Sequence, residues 1–449
     1  MIRSFWMNHI RVMKKRLLSI LLCSAMVASL AVGCGSSGGS DTEEAEESSG
    51  EKTTLTFWCH ENEPWIKSYE AMAEKFEAEN PEYDVVVESY PMSVYMDKIQ
   101  TALTDENGGP DIIALWGGMA APFIASDALS AVPDDLAADM DEDFMEPTVG
   151  IYKKNGTYYG VPMEYNLEYG GMVVNKKLFE EAGLEYPQTW EELRAVSKQV
   201  AKVNGDVVEM GGFECIDGDA LINNFLAMIL QQGGNYIEED GSVNFATEEG
   251  ITALNELLSI VKDGECTLEN LSAGEYCFND VYQDKAFMSS VGTWAIGEGT
   301  DSYELTYGED FEYVAVPQYG DEMAFTSESG WGLIVPANGA NVDAAWDYVR
   351  FFTDPENLVE HNIACNQLPP RTSMLDSEEY REAMSNIDFI LDILPYGKWR
   401  GSYSASAMNS LFDQMFIDLC QSENPDVEAS LAEVSQKITE ECSLGYTQD

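Results

Sequence analysis

Between residues 53 and 115 the apolar pattern changes period four times, and this alternation constrains the fold more than any other stretch. TTLTFW at 53–58 reads as a strand. Trp65, Tyr69, Met72 and Phe76 then recur at helical spacing until Asn80-Pro81 stops them. A second strand at 83–87 is followed by a second helix at 95–103, the loop Asn107-Gly108-Gly109-Pro110 and a buried strand at 111–115. A β-α-β-α-β order of this kind calls for a parallel or mixed sheet covered by helices, an α/β fold. Ligands of such sheets sit beyond the carboxyl ends of the strands. Two segments occupy that place: Cys59-His60-Glu61-Asn62 after the first strand and Trp116-Gly117-Gly118 after the third.

The stretch GTYYGVPMEYNLEYGGMVVNKKLF at 156–179 is the next constraint. The Asn155-Gly156 turn leads into aromatic and β-branched residues, Pro162 interrupts them, and Met172-Val173-Val174 forms a second apolar run. Two short strands joined by a polar crossing are expected. Glu164, Tyr165, Asn166, Glu168 and Tyr169 crowd into that crossing. They form either a binding wall held by rigid strands or a solvated loop.

Further elements follow in order. Thr189-Trp190-Glu191-Glu192 has capping-box spacing, with Leu193, Val196, Val200 and Val203 as the apolar face of its helix. Helices are expected around Leu221 to Ile229, Leu254 to Val261 and Ala345 to Phe352, and through the C-terminal part. SSVGTWAI at 289–296 and the segments at 313–316 and 331–335 read as strands.

The N-terminus stands apart from the fold. Basic residues precede an apolar run at 17–32 that is short for a membrane span and ends in Ala-Val-Gly-Cys34, the pattern of a secretory signal. Met13 opens MKKRLLSILL, a more usual start than Met1. After Cys34 the Gly, Ser, Asp and Glu residues up to Lys52 have no apolar pattern and are expected to be a flexible tether spanning roughly 23 Å. The signal takes five of the 24 Lys and Arg, leaving 19 against 80 Asp and Glu, a net −61. That charge argues against nucleic acid and polyanionic partners. Seven scattered cysteines remain, without CxxC or metal spacing, and are read as free buried thiols, with Cys266–Cys277 the pair to form a disulfide if one exists.

Enzyme chemistry has no signature. GxSxG, HExxH, a phosphate loop and a Cys–His pattern are absent, and only three histidines exist. Asp139, Asp141 and Asp143 suggest a calcium loop, but Phe144 replaces the turn glycine and Gly150 the final glutamate. No metal and no cofactor is expected.

Several segments carry a family resemblance, in this order: LTFWCHENEPWIKSYEAMAEKFEAENPEYDVVVE, GGPDIIALWGGMAAPFIASDALSAV, YYGVPMEYNLEYGGMVVNKKLFEEAGLEYPQTWEELRAVSKQV, FMSSVGTWAIG and GWGLIVPANGANVDAAWDYVRFFTDPENLVEHNIACNQLPPR. They resemble the family 1 extracellular solute-binding proteins of ABC importers, the maltose- and oligosaccharide-binding type. The resemblance covers essentially all of the chain after the tether. It implies a two-lobed, type II periplasmic-binding-protein-like α/β fold that closes about a hinge over a ligand. One lobe would take residues 53–163 and 313–354, the other 164–312 and 355–449. Residues 1–33 resemble a lipoprotein signal, with Cys34 the lipidated first residue of a protein held at the outer face of the cell membrane. A monomer delivering a carbohydrate to ABC permease subunits is implied. The alternatives are a non-sugar ligand (a peptide, polyamine or metal chelate) or, from another class, a secreted glycan-active enzyme with two carboxylates.

Sugars present hydroxyls and an apolar ring face, so a site for them needs carboxylates, amides and flat aromatics. Positions matching the family's ligand contacts are Trp116, Glu168 and Trp294, the last a stacking aromatic or a core residue. Glu164 flanks the crossing with Glu168. Further candidates are His60 and Glu61 after the first strand, Trp331 in SGWGL, Arg371 in the Pro-Pro-Arg element, and Tyr396 and Trp399 near a late family aromatic. Arg371 is read either as a ligand contact or as a strut to an acidic neighbour, and Trp65 as a core residue or a cleft residue.

Overall fold

The computed structural model describes residues 52–104, 109–167, 170–204, 207–384 and 387–445. The expected signal, the Cys34 anchor and all of the tether except Lys52 lie outside the described residues.

Two five-stranded sheets organise the protein. The first runs Tyr83–Tyr90, Thr53–His60, Ile112–Trp116, Trp331–Ile334, Val161–Pro162, with the first three strands parallel and the last two pairings antiparallel. Leu55, Phe57 and Cys59 alternate inward from the strand Thr53–His60. The helix Glu63–Glu79 covers them. Asn62 caps it by accepting the Trp65 N–H, and Trp65, Tyr69, Met72 and Phe76 form its buried face as their spacing predicts. Phe57 and Tyr69 meet with ring centroids 4.7 Å apart, and each buried ring of this kind contributes about 1.5–3 kcal/mol.

The second sheet runs Phe311–Ala315, Gly171–Asn175, Ala286–Ser290, Val207–Glu214, Lys202–Asn204. Its helices include Trp190–Val200, Ala220–Gln231, Glu248–Lys262, Ala405–Gln421 and Val427–Glu441. Thr189 caps the first of these by accepting the Glu192 N–H at 3.2 Å, as the capping box requires.

A third sheet of three strands, Gly397–Trp399, Phe325–Ser329 and Tyr165–Leu167, joins the other two. The chain leaves the first sheet at Pro162, passes through Tyr165–Leu167 and enters the second at Gly171. It returns from Ala315 through Phe325–Ser329 to Trp331. Asn155 and Gly156 both adopt positive φ, 51° and 80°, in the tight turn between Lys153–Lys154 and Thr157–Tyr158.

The structure departs from the expected boundaries in two places. The strand containing Tyr313 belongs to the second sheet, so the return to the first comes at Trp331. The helix Pro355–Ala364 packs on Glu63–Glu79 rather than on the second sheet's helices. His361 Nδ1 lies 2.8 Å from Ser68 Oγ, and Glu360 pairs with Lys75 at 2.7 Å. Only after Gly397–Trp399 does the chain rejoin the second sheet's helices, where Phe412 packs on Phe225.

One local expectation also changes. The segment 289–296 is not one strand: Ala286–Ser290 ends early, and Trp294 precedes the helix Ala295–Asp301. Asp139, Asp141 and Asp143 sit in the helix Asp134–Asp143, where a calcium loop does not form. All seven cysteines among the described residues are free thiols, five of them buried. Among the described residues no helix is long and apolar enough to cross a membrane.

Candidate functional site

A cleft of about 1200 Å³ opens between the two large sheets, with the three crossing strands at its base. Its first wall is aromatic. Trp331 and Trp116 are register partners on adjacent antiparallel strands, so their indoles project from the same face. Trp331 stacks on His60 at 4.2 Å and meets Trp65 edge-on at 5.4 Å. Trp116 lies flat over Gly118, where a Cβ would come within 2.3 Å of the indole.

The base carries Glu164, at the polar crossing. Its Oε1 accepts the Trp331 N–H at 2.8 Å and its Oε2 accepts Gln367 Nε2 at 2.5 Å. Burial pushes this carboxyl up to about 7, against those two hydrogen bonds. One carboxylate therefore ties the first crossing to the end of the second, at Trp331, and to Gln367 in the loop after the helix Pro355–Ala364.

The second wall mixes an exposed aromatic with a polar network. Trp294 is 42% exposed and is held edge-on by Phe278 at 5.2 Å and Tyr276 at 5.9 Å. Asp219 accepts from Asn409 Nδ2 at 2.7 Å and from the Tyr276 hydroxyl. Buried Arg400 donates to Asn409 Oδ1 at 2.7 Å and pairs with Glu328. Beside them Asp413 is pushed up to about 7, first by burial and then by Asp217 and Asp219. Its Oδ1 is buried without a partner. The cleft thus offers flat apolar faces on both walls and fixed acceptors and amides between them, the complement of a polyhydroxylated ring. Among the described residues no group of His, Cys, Asp and Glu is arranged to hold a metal ion.

Residues 62–358 match the family described as bacterial extracellular solute-binding protein. The chain belongs to this family. Among its relatives is the arabinooligosaccharide-binding protein of Halalkalibacterium halodurans, 26% identical over 406 residues, which cover 86% of this chain and 89% of that protein. The sn-glycerol-3-phosphate-binding periplasmic protein UgpB of Escherichia coli K12 is 21% identical over 331 residues, 71% of this chain and 74% of that one. The fold matches the cyclic α-maltosyl-1,6-maltose-binding protein of Arthrobacter globiformis with a TM-score of 0.68 and 21% identity, over 87% of this chain and 98% of that one. The two-lobed α/β architecture is common to both.

In this solute-binding protein Trp294, Trp116, Trp331 and Glu164 line the cleft, as does Trp65. Glu168 lies outside the described residues. Five other candidates are not on the lining. His60 lies against the Trp331 indole, and burial lowers its pKa to about 4, which keeps it neutral. Glu61 points to solvent just beyond the first strand. Arg371 is the strut: 2% exposed, it donates to Asp139 and Asp143 at 2.6 and 3.1 Å and to the Thr353 carbonyl at 3.0 Å, over the Phe144 ring. Trp399 packs against Gly150, where no Cβ fits. Tyr396 is an exposed side chain away from the lining.

Sequence reasoning missed Tyr276, Asp219, Asn223, Glu328, Asn409 and Asp413. Asp219 immediately precedes the helix Ala220–Gln231, the kind of helix start where polar groups gather. The others carry no local signal: Glu328 lies on the second crossing strand, Phe325–Ser329, and Asn409 and Asp413 reach the cleft only after the third.

Proposed function

We propose that this protein captures an oligosaccharide in the cleft, the lobes closing over it, and hands it to the membrane subunits of an ABC importer. The single observation that carries the reading is the pairing of indole faces, Trp116 and Trp331 on one wall and Trp294 on the other, across a polar base. Single-ligand pockets are commonly about 300–1,000 Å³, so the 1200 Å³ here suits more than one sugar ring. The names of the arabinooligosaccharide- and maltose-type relatives support the same ligand class. In this reading Cys34 is lipidated, and the acidic tether lets a monomeric receptor work at the outer face of the cell membrane. The lobes would divide within the crossing strands.

A thermal-shift screen over neutral mono-, di- and oligosaccharides tests the proposal. A sugar at 100 times its Kd adds about 2.7 kcal/mol of stability. A raised midpoint with oligosaccharides and no hydrolysis product in the same wells is expected. A shift from peptides or polyamines alone, or release of shorter sugars, overturns it.

A further inference from the structure

We infer that the cleft is a charge filter: it admits neutral and amine-bearing sugars and excludes uronic acids and sugar phosphates. The inference deepens the carbohydrate reading and rests on it. Recognition of a carboxylate or phosphate group normally uses a guanidinium, an ammonium or a helix N-terminus aimed at the anion. No Lys, Arg or His side chain lines the cleft among the described residues. Of the helix starts on the lining, Glu63–Glu79 is capped by Asn62 and Ala220–Gln231 has the Asp219 carboxylate before it, while Ala405–Gln421 begins without a side-chain cap. The internal segments outside the described residues, 105–108, 168–169, 205–206 and 385–386, contain no Lys, Arg or His either. The cation nearest the second wall, Arg400, is buried and spent on Glu328 and Asn409.

Carboxylates occupy the lining instead. Glu164 sits at the base, and Asp219, Glu328 and Asp413 lie on the second wall. Glu275, Glu298 and Asp301 follow on the same side. Asp413 already feels this crowding, since Asp217 and Asp219 help to push its carboxyl up to about 7. Above about pH 7, where that carboxyl is ionised, its orphaned Oδ1 is a desolvated acceptor waiting for an O–H or N–H donor. A neutral hydroxyl satisfies it, and an ammonium satisfies it with charge assistance. A second anion leaves it unpaired and adds repulsion from several directions.

Matched trimers test the filter by tryptophan-fluorescence titration of the intact protein. For each ring type that binds as a neutral trisaccharide, the uronate trimer and the glucosamine-type trimer are titrated beside it, at low and at high salt. The uronate is expected to bind at least about tenfold more weakly than the neutral sugar, the penalty shrinking in salt. The amine is expected to bind as well as the neutral sugar or better. In Asp413→Asn the uronate penalty should fall several-fold, and Glu275→Gln, on an exposed side chain, repeats the test where folding is not at stake. A uronate that binds as tightly as its neutral counterpart overturns the filter and leaves the carbohydrate reading standing. Silence from neutral, basic and acidic sugars alike overturns both.

Discussion

Trp294→Ala separates a ligand platform from a core residue. The indole keeps 42% of its surface exposed. A tryptophan presents roughly 150–250 Å², so about 60–100 Å² remains for a ligand to cover. At about 25 cal/mol per Å² that surface is worth about 2 kcal/mol, or roughly 30-fold in Kd. The covered part rests on Phe278 and Tyr276 as two edge-on pairs. Losing them costs about 1–3 kcal/mol of stability, well short of unfolding a protein of this size. The assay is isothermal titration with whichever glycan gives the largest thermal shift, alongside a melting curve without ligand. Expected are a roughly 30-fold loss of affinity and a midpoint lowered by a few degrees. An affinity within about threefold of the parent, or a variant that does not fold, refutes the reasoning and returns Trp294 to the core.

Four further outcomes are expected. Gly118→Val places a side chain where the Trp116 indole lies, and since Gly118 is exposed, ligand affinity should fall about tenfold with the melting midpoint nearly unchanged. Arg371→Met strands Asp139 and Asp143 and should cost about 3–5 kcal/mol in denaturant unfolding while Kd stays constant. Buried Glu214 is held up to about 8 against 4.5; the folded chain therefore keeps a proton that the unfolded chain releases, and stability falls as pH rises through that window. His60 and His361, lowered to about 4 and about 3 from 6.5 by burial, act oppositely but only below pH 6.5. Between pH 6.5 and 8 the loss from Glu214 is about 2 kcal/mol, and Glu214→Gln should flatten that slope in pH-dependent melting. Of the seven cysteines from Cys59 onward, a native thiol titration should label at most Cys365 and Cys420, both half-buried and both slowed by thiols pushed up to about 12 and about 11, with the other five appearing on denaturation.

The parts of the fold legible in the sequence are those whose cause is local. The face of Trp65, Tyr69, Met72 and Phe76, the Thr189 capping box and the Asn155-Gly156 turn each follow from spacing or backbone preference, and each forms where expected. Trp116 and Trp294 were singled out by the family resemblance, not by a local cause. In the structure each indole lies against a nearby glycine, Gly118 or Gly292, where a Cβ would collide with it. The strand read through residues 289–296 fails because Gly292-Thr293-Trp294 is apolar enough to continue a strand, yet it turns into a helix. Arg371 was ambiguous because its partners, Asp139 and Asp143, lie more than 220 positions away. The acidic second wall was invisible for the same reason: Asp219 meets Asn409 across 190 residues, and no periodicity reports such a meeting.

The three strands joining the lobes are hydrogen-bonded to one another as a narrow ribbon. Lone linkers would let the lobes swivel about several axes. A paired ribbon permits chiefly one motion, a shared bend, because shearing any strand past its neighbours breaks backbone hydrogen bonds. In the proposed receptor, opening and shutting would then follow one path, a bend shared by all three strands.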